Sequence, residues 1–230
     1  RAVAAGDPIA AEGVSCDVCH TISSVQVGRV GGAGFTLQLD DAVRYGPLCD
    51  AKPSVALYWD FENLHASLSE ARLGEGSYGK PDGRFRTQEP LIEVQAIAEL
   101  AASLGPIAIN RAYCNWQFFG RYRDVLLQNA MELIQLFPPG ASTKNGADIR
   151  LCLDAVQDVT RHRHIGTVLV VSGDSDFMPL AQKIRAGGRT LVGIGTRAST
   201  NRHWARSCNT FRYYEDLMEA AGVAAPPAAD

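Results

Sequence analysis

Three aspartates directly follow apolar runs of the sequence, at positions where they could do chemistry. Asp60 follows the run at residues 55–59. Asp174 and Asp176 follow the run at residues 167–171. In an open parallel sheet, ligands bind beyond the carboxyl ends of the strands, at the point where the strand order reverses. If the two runs form neighbouring strands, we expect Asp60 and Asp174 to face each other across that crevice.

A fourth aspartate, Asp148, begins a predicted helix and could join this group, so that three or four carboxylates would converge. Carboxylates held close together raise one another's pKa unless a cation neutralises them. Carboxylate oxygens without an accompanying His or Cys suit Mg²⁺ or Mn²⁺ and suit Zn²⁺ poorly. Because phosphate oxygens of a substrate commonly complete the coordination of such a cation, the cluster predicts phosphate-ester chemistry.

These residues also have simpler interpretations. Asp60 and Asp174 could be helix N-caps, since aspartate satisfies the free backbone N–H groups of a first turn. Asn63 could hydrogen-bond a phosphate or a metal-bound water, or it could be polar packing in a first helical turn. The recurrence of an acidic residue after two apolar strands favours the metal site.

The sequence from residue 54 onward predicts an α/β fold. Apolar β-type runs alternate with stretches of helical period, which is typical of a Rossmann-like, mainly parallel sheet covered by helices on both faces. Strands are predicted at residues 55–59, 107–109, 133–137, 167–171, 190–194 and 211–214, and helices at residues 91–104, 148–159 and 177–186. We expect the runs at 133–137 and 167–171 to lie deep in the sheet, and residues 73–89 to form a surface loop.

The segments on either side differ from this domain, which we assign to residues 54–217. Residues 1–53 are rich in small residues and show little sign of an amphipathic helix, so a poorly structured leader or an incomplete module is expected there. Residues 218–230 are expected to be a flexible tail.

The leader contains the motif Cys16-Asp17-Val18-Cys19-His20, which has the spacing of a c-type haem attachment site. Residues 12–50 resemble a fragment of a multihaem cytochrome c. Because no further haem motif or second axial ligand is evident, haem c is not expected to bind. The alternatives are a zinc half-site that uses Cys16 and Cys19 with either His20 or Cys49, and an inherited remnant. We expect a cytoplasmic location, and a periplasmic one only if the haem motif is functional.

The composition limits the classes of function. The chain has 230 residues, 46% hydrophobic and 20% charged, which excludes a fibrous or wholly disordered protein. Its 22 basic and 25 acidic side chains give a net charge of −3, so the molecule as a whole does not attract nucleic acid or anionic lipid. No apolar run approaches the roughly 20 residues that cross a bilayer, so no membrane partner is expected.

One stretch nevertheless offers local attraction for a polyanion. No acidic residue stands between Asp176 and Glu215, whereas basic residues there are Lys183, Arg185, Arg189, Arg197, Arg202, Arg206 and Arg212. Such side chains could contact phosphates without reading bases, although a solvated surface is the alternative. Aromatic residues that could stack on unpaired bases are Tyr113, Trp116, Phe118, Phe119, Tyr122 and Trp204. We expect most of them to be core.

Three segments together resemble the NYN domains of the LabA-like group, which belong to the wider PIN-like nuclease fold. They are residues 56–63 (ALYWDFEN), 144–149 (KNGADI) and 171–180 (VSGDSDFMPL). The resemblance covers residues 54–215 and implies a ribonuclease whose Mg²⁺ or Mn²⁺ is held by Asp60, Asp148, Asp174 and Asp176. The resemblance also extends to the closing segment, where residue 209 is Asn and the family commonly has Asp.

The leading prediction is hydrolysis of RNA phosphodiester bonds by a metal-activated water. The predicted catalytic residues are Asp60, Asn63, Asp148, Asp174 and Asp176, and the predicted contacts with RNA, more readily single-stranded, are Lys144, Lys183, Arg185, Arg197 and Arg202.

Three alternatives stay open at this point. One is a phosphatase with Asp60 as nucleophile, although Glu62 stands where such enzymes usually carry a second Asp. The second is an RNA-binding or regulatory module without turnover, which is suggested by Asn209 at a position where the family commonly has Asp. The third is an electron-transfer protein built on the haem motif. A homo-oligomer is compatible with each.

Overall fold

The structure is a computed structural model that describes residues 22–27, 35–39, 52–137 and 146–222. The chain divides into two units, Arg1–Lys52 and Pro53–Asp230. In the first unit, β1 (Ile22–Val27) and β2 (Phe35–Leu39) pair antiparallel, and the sequence analysis did not predict this pair.

The second unit contains a six-stranded parallel sheet, which confirms the predicted α/β fold. Its strands are β3 (Ser54–Asp60), β4 (Ile107–Cys114), β5 (Glu132–Gln135), β6 (Ile165–Val171), β7 (Thr190–Gly195) and β8 (Thr210–Tyr213). They are ordered β5-β4-β3-β6-β7-β8, and each neighbouring pair is parallel. The order therefore reverses between β3 and β6, which opens a crevice at their carboxyl ends.

Helices cover both faces of this sheet. They are α1 (Phe61–Leu73), α2 (Pro81–Arg84), α3 (Val94–Leu104), α4 (Arg123–Gln128), α5 (Gly146–Arg161), α6 (Met178–Ala186), α7 (Arg202–Ser207) and α8 (Tyr214–Ala220). Buried residues of α1, α3, α4 and α8 belong to one core cluster, and those of α5, α6 and α7 belong to another.

The central strand β3 separates the two core clusters. Val55, Leu57 and Trp59 pack into the first cluster, whereas Ala56 and Tyr58 pack into the second. All five side chains are fully buried. Because successive residues of a strand point to opposite faces, a strand covered on both sides needs apolar residues at every position. This explains the uninterrupted apolar run that precedes Asp60.

The strand predicted at residues 133–137 does not lie deep in the sheet. Strand β5 covers Glu132–Gln135, stands at the edge and is mostly exposed. Its apolar residues are only two, Leu133 and Ile134, and β4 is its single neighbour. The expectation was correct for β6, which lies between β3 and β7 and is buried over most of its length.

The segment at residues 73–89 is more ordered than the predicted surface loop. It contains the short helix α2, and both Tyr78 and Gln88 are buried within it. The burial of Tyr78 and Gln88 was not predictable from the sequence, because polar or small residues flank both of them and exposed Gly, Lys and Arg residues are frequent in this stretch.

Candidate metal centre

Three carboxylates meet at the carboxyl ends of the strands. Asp174 and Asp176 stand at a short 3₁₀ turn (Ser175–Phe177) after β6, and Asp148 stands in the first turn of α5. One carboxylate oxygen of each lies within 4.8 Å of the other two. The structure therefore brings together three of the four aspartates that the sequence nominated as metal ligands.

The backbone around Asp174 is held by local hydrogen bonds. The Asp174 Oδ1 atom accepts a hydrogen bond of 3.0 Å from the Asp176 backbone N–H, so Asp174 caps the 3₁₀ turn. The Asp174 N–H donates to the Ser172 Oγ atom at 3.2 Å. At Gly173, an added Cβ would lie only 3.2 Å from the Thr200 Cα atom, so the loop at Thr200 can approach because residue 173 has no side chain. The N-cap interpretation and the cluster are thus both correct for Asp174.

Asp60 lies beside this cluster and is not one of its three members. Its side chain is only 4% exposed, and its Oδ2 atom accepts a hydrogen bond of 3.1 Å from the Ser172 hydroxyl. Although Asp60 occupies the N-cap position of α1, its side chain makes no capping hydrogen bond. Burial, followed by the negative charge of Asp148, raises the pKa of Asp60 well above its ordinary value. A shared ligand role for Asp60 stays a prediction.

Negative charge accumulates at the cluster, and no described residue supplies a counterion. Burial, followed by the carboxylates of Asp174 and Asp176, raises the pKa of Asp148 from 3.8 to about 6. None of these three aspartates forms a salt bridge with any residue in the part of the chain that the structure describes. The donor set consists only of carboxylate oxygens, which suits Mg²⁺ or Mn²⁺. A divalent cation would offset the repulsion that raises this pKa.

A groove of about 320 Å³ opens beside Asp174. Its lining includes Asn63, whose Oδ1 atom accepts a long hydrogen bond of 3.5 Å from the Gly173 N–H. The groove is otherwise lined by small and polar residues, namely Ala66, Ser67, Glu70, Gly173, Ser175, Ser199 and Asn201. Such a lining offers hydroxyl and amide groups to a hydrophilic ligand, and Asn63 is placed to contact a ligand that reaches Asp174.

Two polar features of this site were not predicted from the sequence. Ser172 is fully buried and links Asp60 to the backbone of Asp174, as described above. The hydroxyls of Ser67, Thr196 and Ser199 hydrogen-bond to one another across the groove. Ser172 could have been noticed, since a hydroxyl at the end of a buried apolar strand requires a partner. The hydroxyl cluster joins positions 129 residues apart in sequence, which no local pattern reveals.

The predicted RNA contacts fall into two groups. Arg197 and Arg202 follow β7 and lie on the side of the carboxylates, but the Arg197 guanidinium pairs with Asp216 and lies 4.5 Å from the Tyr213 ring centroid. Lys183 and Arg185 stand in the last turn of α6. Their contact with RNA stays a prediction, and Lys144 lies outside the described residues.

Two residues that the sequence linked to the site lie at the other end of the strands, where the strands begin. Arg185 and Asn209 line a common groove with Thr190, the first residue of β7. The Asn209 Oδ1 atom accepts a hydrogen bond of 2.8 Å from the Leu191 N–H. Because strands β7 and β8 begin at this edge, both side chains lie away from the carboxylates. The Asn at position 209 therefore does not remove a carboxylate from the cluster.

Two further expectations concern the rest of the chain. The haem-like residues Cys16, Cys19 and His20 lie outside the described residues. Among the residues that the structure describes, no helix is both long enough and apolar enough to span a bilayer.

The order of the strands and the acidic crevice define a Rossmann-like α/β protein with a candidate divalent-metal centre. The chain belongs to the NYN domain family, whose model matches residues 54–215. It is 30% identical over 104 residues to an uncharacterized protein of Methanocaldococcus jannaschii, a match that covers 45% of this chain and 40% of that protein. The chain thus spans less than half the length of this relative.

A solved structure supports the fold. A protein of unknown function from Vibrio parahaemolyticus RIMD 2210633 superposes with a TM-score of 0.57 at 17% sequence identity. The match covers 73% of this chain and 96% of that chain. At this identity the similarity shows the fold alone, and the assignment of chemistry must come from the site.

Proposed function

We propose that the chain is a metal-dependent ribonuclease of the LabA-like NYN group that hydrolyses RNA phosphodiester bonds. The observation that carries the proposal is the convergence of Asp148, Asp174 and Asp176 at the switch point of the sheet, with no counterion among the described residues. A cluster of this kind gains from binding a hard divalent cation, and sites that hold Mg²⁺ through carboxylates commonly recruit a substrate phosphate. The match of residues 54–215 to the NYN domain family supports the proposal, because this family belongs to the PIN-like nuclease fold.

The acidic residues have two different tasks in this proposal. Asp148, Asp174 and Asp176 hold Mg²⁺ or Mn²⁺. Asp60 sits behind them, where its hydrogen bond to Ser172 keeps the Asp174 backbone in place. A bound divalent cation lowers the pKa of water and offsets the charge that develops on phosphoryl oxygens.

The groove beside Asp174 accounts for how a strand would be positioned. Asn63 and Asn201 offer amide groups, and Ser67, Ser175 and Ser199 offer hydroxyls, all of which can hydrogen-bond sugar or phosphate oxygens. Because the groove is open and free of aromatic residues, it accepts the backbone of a strand and leaves the bases to another surface. We place this activity in the cytoplasm, where RNA substrates are abundant.

The positions of Asp60 and Asn209 weaken the support for two of the three alternatives. A phosphatase needs an Asp60 carboxylate that a phosphate ester can reach, whereas this carboxylate is 4% exposed and hydrogen-bonded. A silent RNA-binding module was favoured by Asn209, which lies at the other edge of the sheet.

The direct test is cleavage of a 5′-labelled single-stranded RNA by the full chain. We expect cleavage with Mn²⁺, none with a chelator, and none with Asp174→Asn. Asp124→Asn, which changes an exposed aspartate in the first turn of α4, is the matched control and should cleave like the wild type. Cleavage that persists in the chelator or is unchanged in Asp174→Asn would exclude the proposed centre.

A further inference from the structure

A second surface on the carboxyl side of the sheet carries an exposed ring and exposed cations. Phe85 is 56% exposed, and its ring meets the half-buried Phe118 with ring centroids 5.7 Å apart. Phe118 belongs to a 3₁₀ turn (Trp116–Phe118) that follows the carboxyl end of β4. Arg84 and Arg86 are exposed on either side of Phe85, and the Arg84 guanidinium lies 5.9 Å from the Phe85 ring centroid. We call Arg84, Phe85, Arg86 and Phe118 the aromatic shelf.

The backbone of the aromatic shelf is held by a buried glutamine. Gln88 is 3% exposed, and its Nε2 atom donates to the carbonyl oxygens of Gly83, Arg84 and Arg86 at 2.8, 3.2 and 2.9 Å. The Gln88 backbone N–H donates to the Phe118 carbonyl at 2.8 Å, so the two halves of the shelf are joined. The structure therefore presents Phe85 from a fixed backbone, which reduces the entropy lost on binding a ligand.

Close packing adds to this rigidity at Gly83. A Cβ added to this residue would lie 2.2 Å from the Ser77 carbonyl oxygen, a distance that no side chain can occupy. The segment before Phe85 is thus docked against residues 74–80, and its exposed ring is not the tip of a loose loop.

Glu62 links the aromatic shelf to the first turn of α1. Glu62 stands two positions after Asp60 in the first turn of α1, and its Oε1 atom accepts a hydrogen bond of 2.8 Å from the Arg84 Nε atom. The charges of Glu62, Asp60 and Arg84 all act on the buried Cys114 thiol. Burial raises the pKa of Cys114, Glu62 and Asp60 raise it further, and Arg84 lowers it. The shelf therefore lies next to the start of α1, which follows Asp60 at the carboxyl end of β3.

The chemistry of the aromatic shelf fits an unpaired base attached to a phosphate. An exposed aromatic face stacks on any base, and a neighbouring guanidinium contacts the phosphate. The Arg86 guanidinium makes no hydrogen bond or ion pair with any residue in the described ranges, so its charge is available to a ligand. A duplex offers no free base face, because its bases are stacked on one another. The single exposed ring of Phe85 is small beside the apolar centre of a stable protein interface.

We propose that the aromatic shelf binds single-stranded RNA by stacking an unpaired base on Phe85, with Arg86 on an adjacent phosphate. The assignment rests on the proposed function for the identity of the strand, since the same strand would continue to the carboxylates. The shelf supplies what the groove beside Asp174 lacks, namely a surface for bases.

The test measures binding apart from cleavage. The full chain is titrated into a fluorescein-labelled 12-nucleotide single-stranded RNA in chelator, and anisotropy gives the Kd. We expect Phe85→Leu to weaken binding about tenfold, since stacking on one aromatic side chain contributes on that scale, and Phe85→Trp to bind within about twofold of the wild type. Leu73→Ala removes a side chain of nearly equal exposure, 55%, from the end of α1 and should leave the Kd unchanged.

An abasic oligonucleotide of the same length separates stacking from a general effect on the fold. The wild type and Phe85→Leu should bind it equally, because it has no base to stack. The proposal would be overturned if wild type and Phe85→Leu bound the normal RNA equally. It would also be overturned if Phe85→Leu weakened binding of the abasic strand as much as binding of the normal RNA. Arg86→Gln provides a second variant that leaves the Phe85 contacts in place, and it should also weaken binding. A wild-type dimer that Phe85→Leu converts to a monomer in sedimentation would mark a protein interface and would also overturn it.

A small phosphodiester distinguishes this proposal from the nuclease proposal. Hydrolysis of bis(p-nitrophenyl) phosphate with Mn²⁺ tests the carboxylates without the shelf, and Asp174→Asn should abolish it. If no substrate is cleaved but Phe85→Leu still weakens binding of single-stranded RNA, the ribonuclease fails and the shelf stands. If RNA is cleaved but binding does not respond to Phe85→Leu, the shelf fails and the ribonuclease stands.

Discussion

The metal centre and the aromatic shelf lie on one side of the sheet and are stabilised in opposite ways. At the centre, Asp148, Asp174 and Asp176 are gathered without a cationic partner among the described residues, and the pKa of Asp148 rises to about 6. At the shelf, Glu62 pairs with Arg84, and Gln88 satisfies three backbone carbonyls.

This difference indicates what each region requires from a ligand. The centre stores electrostatic repulsion that a divalent cation removes, so its ligand stabilises the fold. The backbone carbonyls of the shelf already have hydrogen-bond donors within the chain, and the shelf exposes only an aromatic ring and charged side chains. Its ligand therefore adds contacts without relieving strain. Variants should therefore separate turnover from binding, and pH should affect only one of the two regions.

The largest expected effect separates the regions by turnover. Asp174→Asn should lower the single-turnover rate of RNA cleavage by about 10³-fold, since it removes one ligand and one charge at the reacting centre. In chelator, its Kd for single-stranded RNA should be unchanged or lower, because a negative charge near a polyanion is lost. A parallel loss of binding and cleavage would show that the two regions are not separable.

The second prediction concerns the support of the aromatic shelf. Gln88→Ala should lower the free energy of unfolding by about 2 kcal/mol, because it leaves carbonyls of a packed segment without donors. Urea denaturation followed by circular dichroism measures this change. Gln95→Ala on α3, which removes an exposed glutamine bonded to Glu99, should change stability by less than about 0.5 kcal/mol. Equal midpoints for the two variants would contradict the supporting role of Gln88.

The third prediction uses the pKa of Asp148. Because this pKa is raised from 3.8 to about 6 in the folded chain, the folded state holds the proton more tightly than the unfolded chain. The associated stability is fully present below about pH 4 and is lost as the pH rises through about 6. In chelator, Asp148→Asn should be more stable than the wild type by about 1 kcal/mol at pH 8, a figure discounted for partial exposure.

At pH 3.5 the two proteins should denature at nearly the same urea concentration, since Asp148 is then largely neutral in both states. Asp124→Asn should show no difference from the wild type at either pH. A stability gap for Asp148→Asn that does not depend on pH would show that its carboxylate does not carry the strain.

The smallest expected effect concerns salt at the aromatic shelf. Arg86→Gln should weaken binding of single-stranded RNA about threefold and reduce the slope of log Kd against log salt by about 0.7, the value for one phosphate contact on a single strand. Arg72→Gln, in the last turn of α1, should leave the slope unchanged. An unchanged slope for Arg86→Gln would remove the phosphate contact from the proposal and leave the base contact to be judged alone.

Local patterns predicted much of the fold. The apolar runs at β3 and β6 were recognisable because both faces of these strands are covered, and the acidic residues after them marked the carboxyl edge. The helix that begins near Asp148 was recognisable by its period. The edge position of β5 was not recognisable, because a short apolar run does not show how many neighbouring strands its strand has.

The candidate site was predicted less completely than the fold. Asp60, Asp148, Asp174 and Asp176 were nominated together, but the structure separates Asp60 by burying it against Ser172. Arg185 was grouped with the site from its place in the sequence, although α6 carries it toward the opposite edge. The aromatic shelf was hidden in a stretch predicted to be a loop.

The amino-acid sequence by itself determined the types of the elements and the acidic residues at their ends, because hydrophobic period and composition act over a few neighbouring residues. Only the tertiary structure decided that β3 and β6 are adjacent, which three carboxylates meet, and that Gln88 holds Phe85 in an exposed position. Those outcomes depend on packing and hydrogen bonds that the folded chain makes, many of them between residues distant in sequence. No local pattern contains that information.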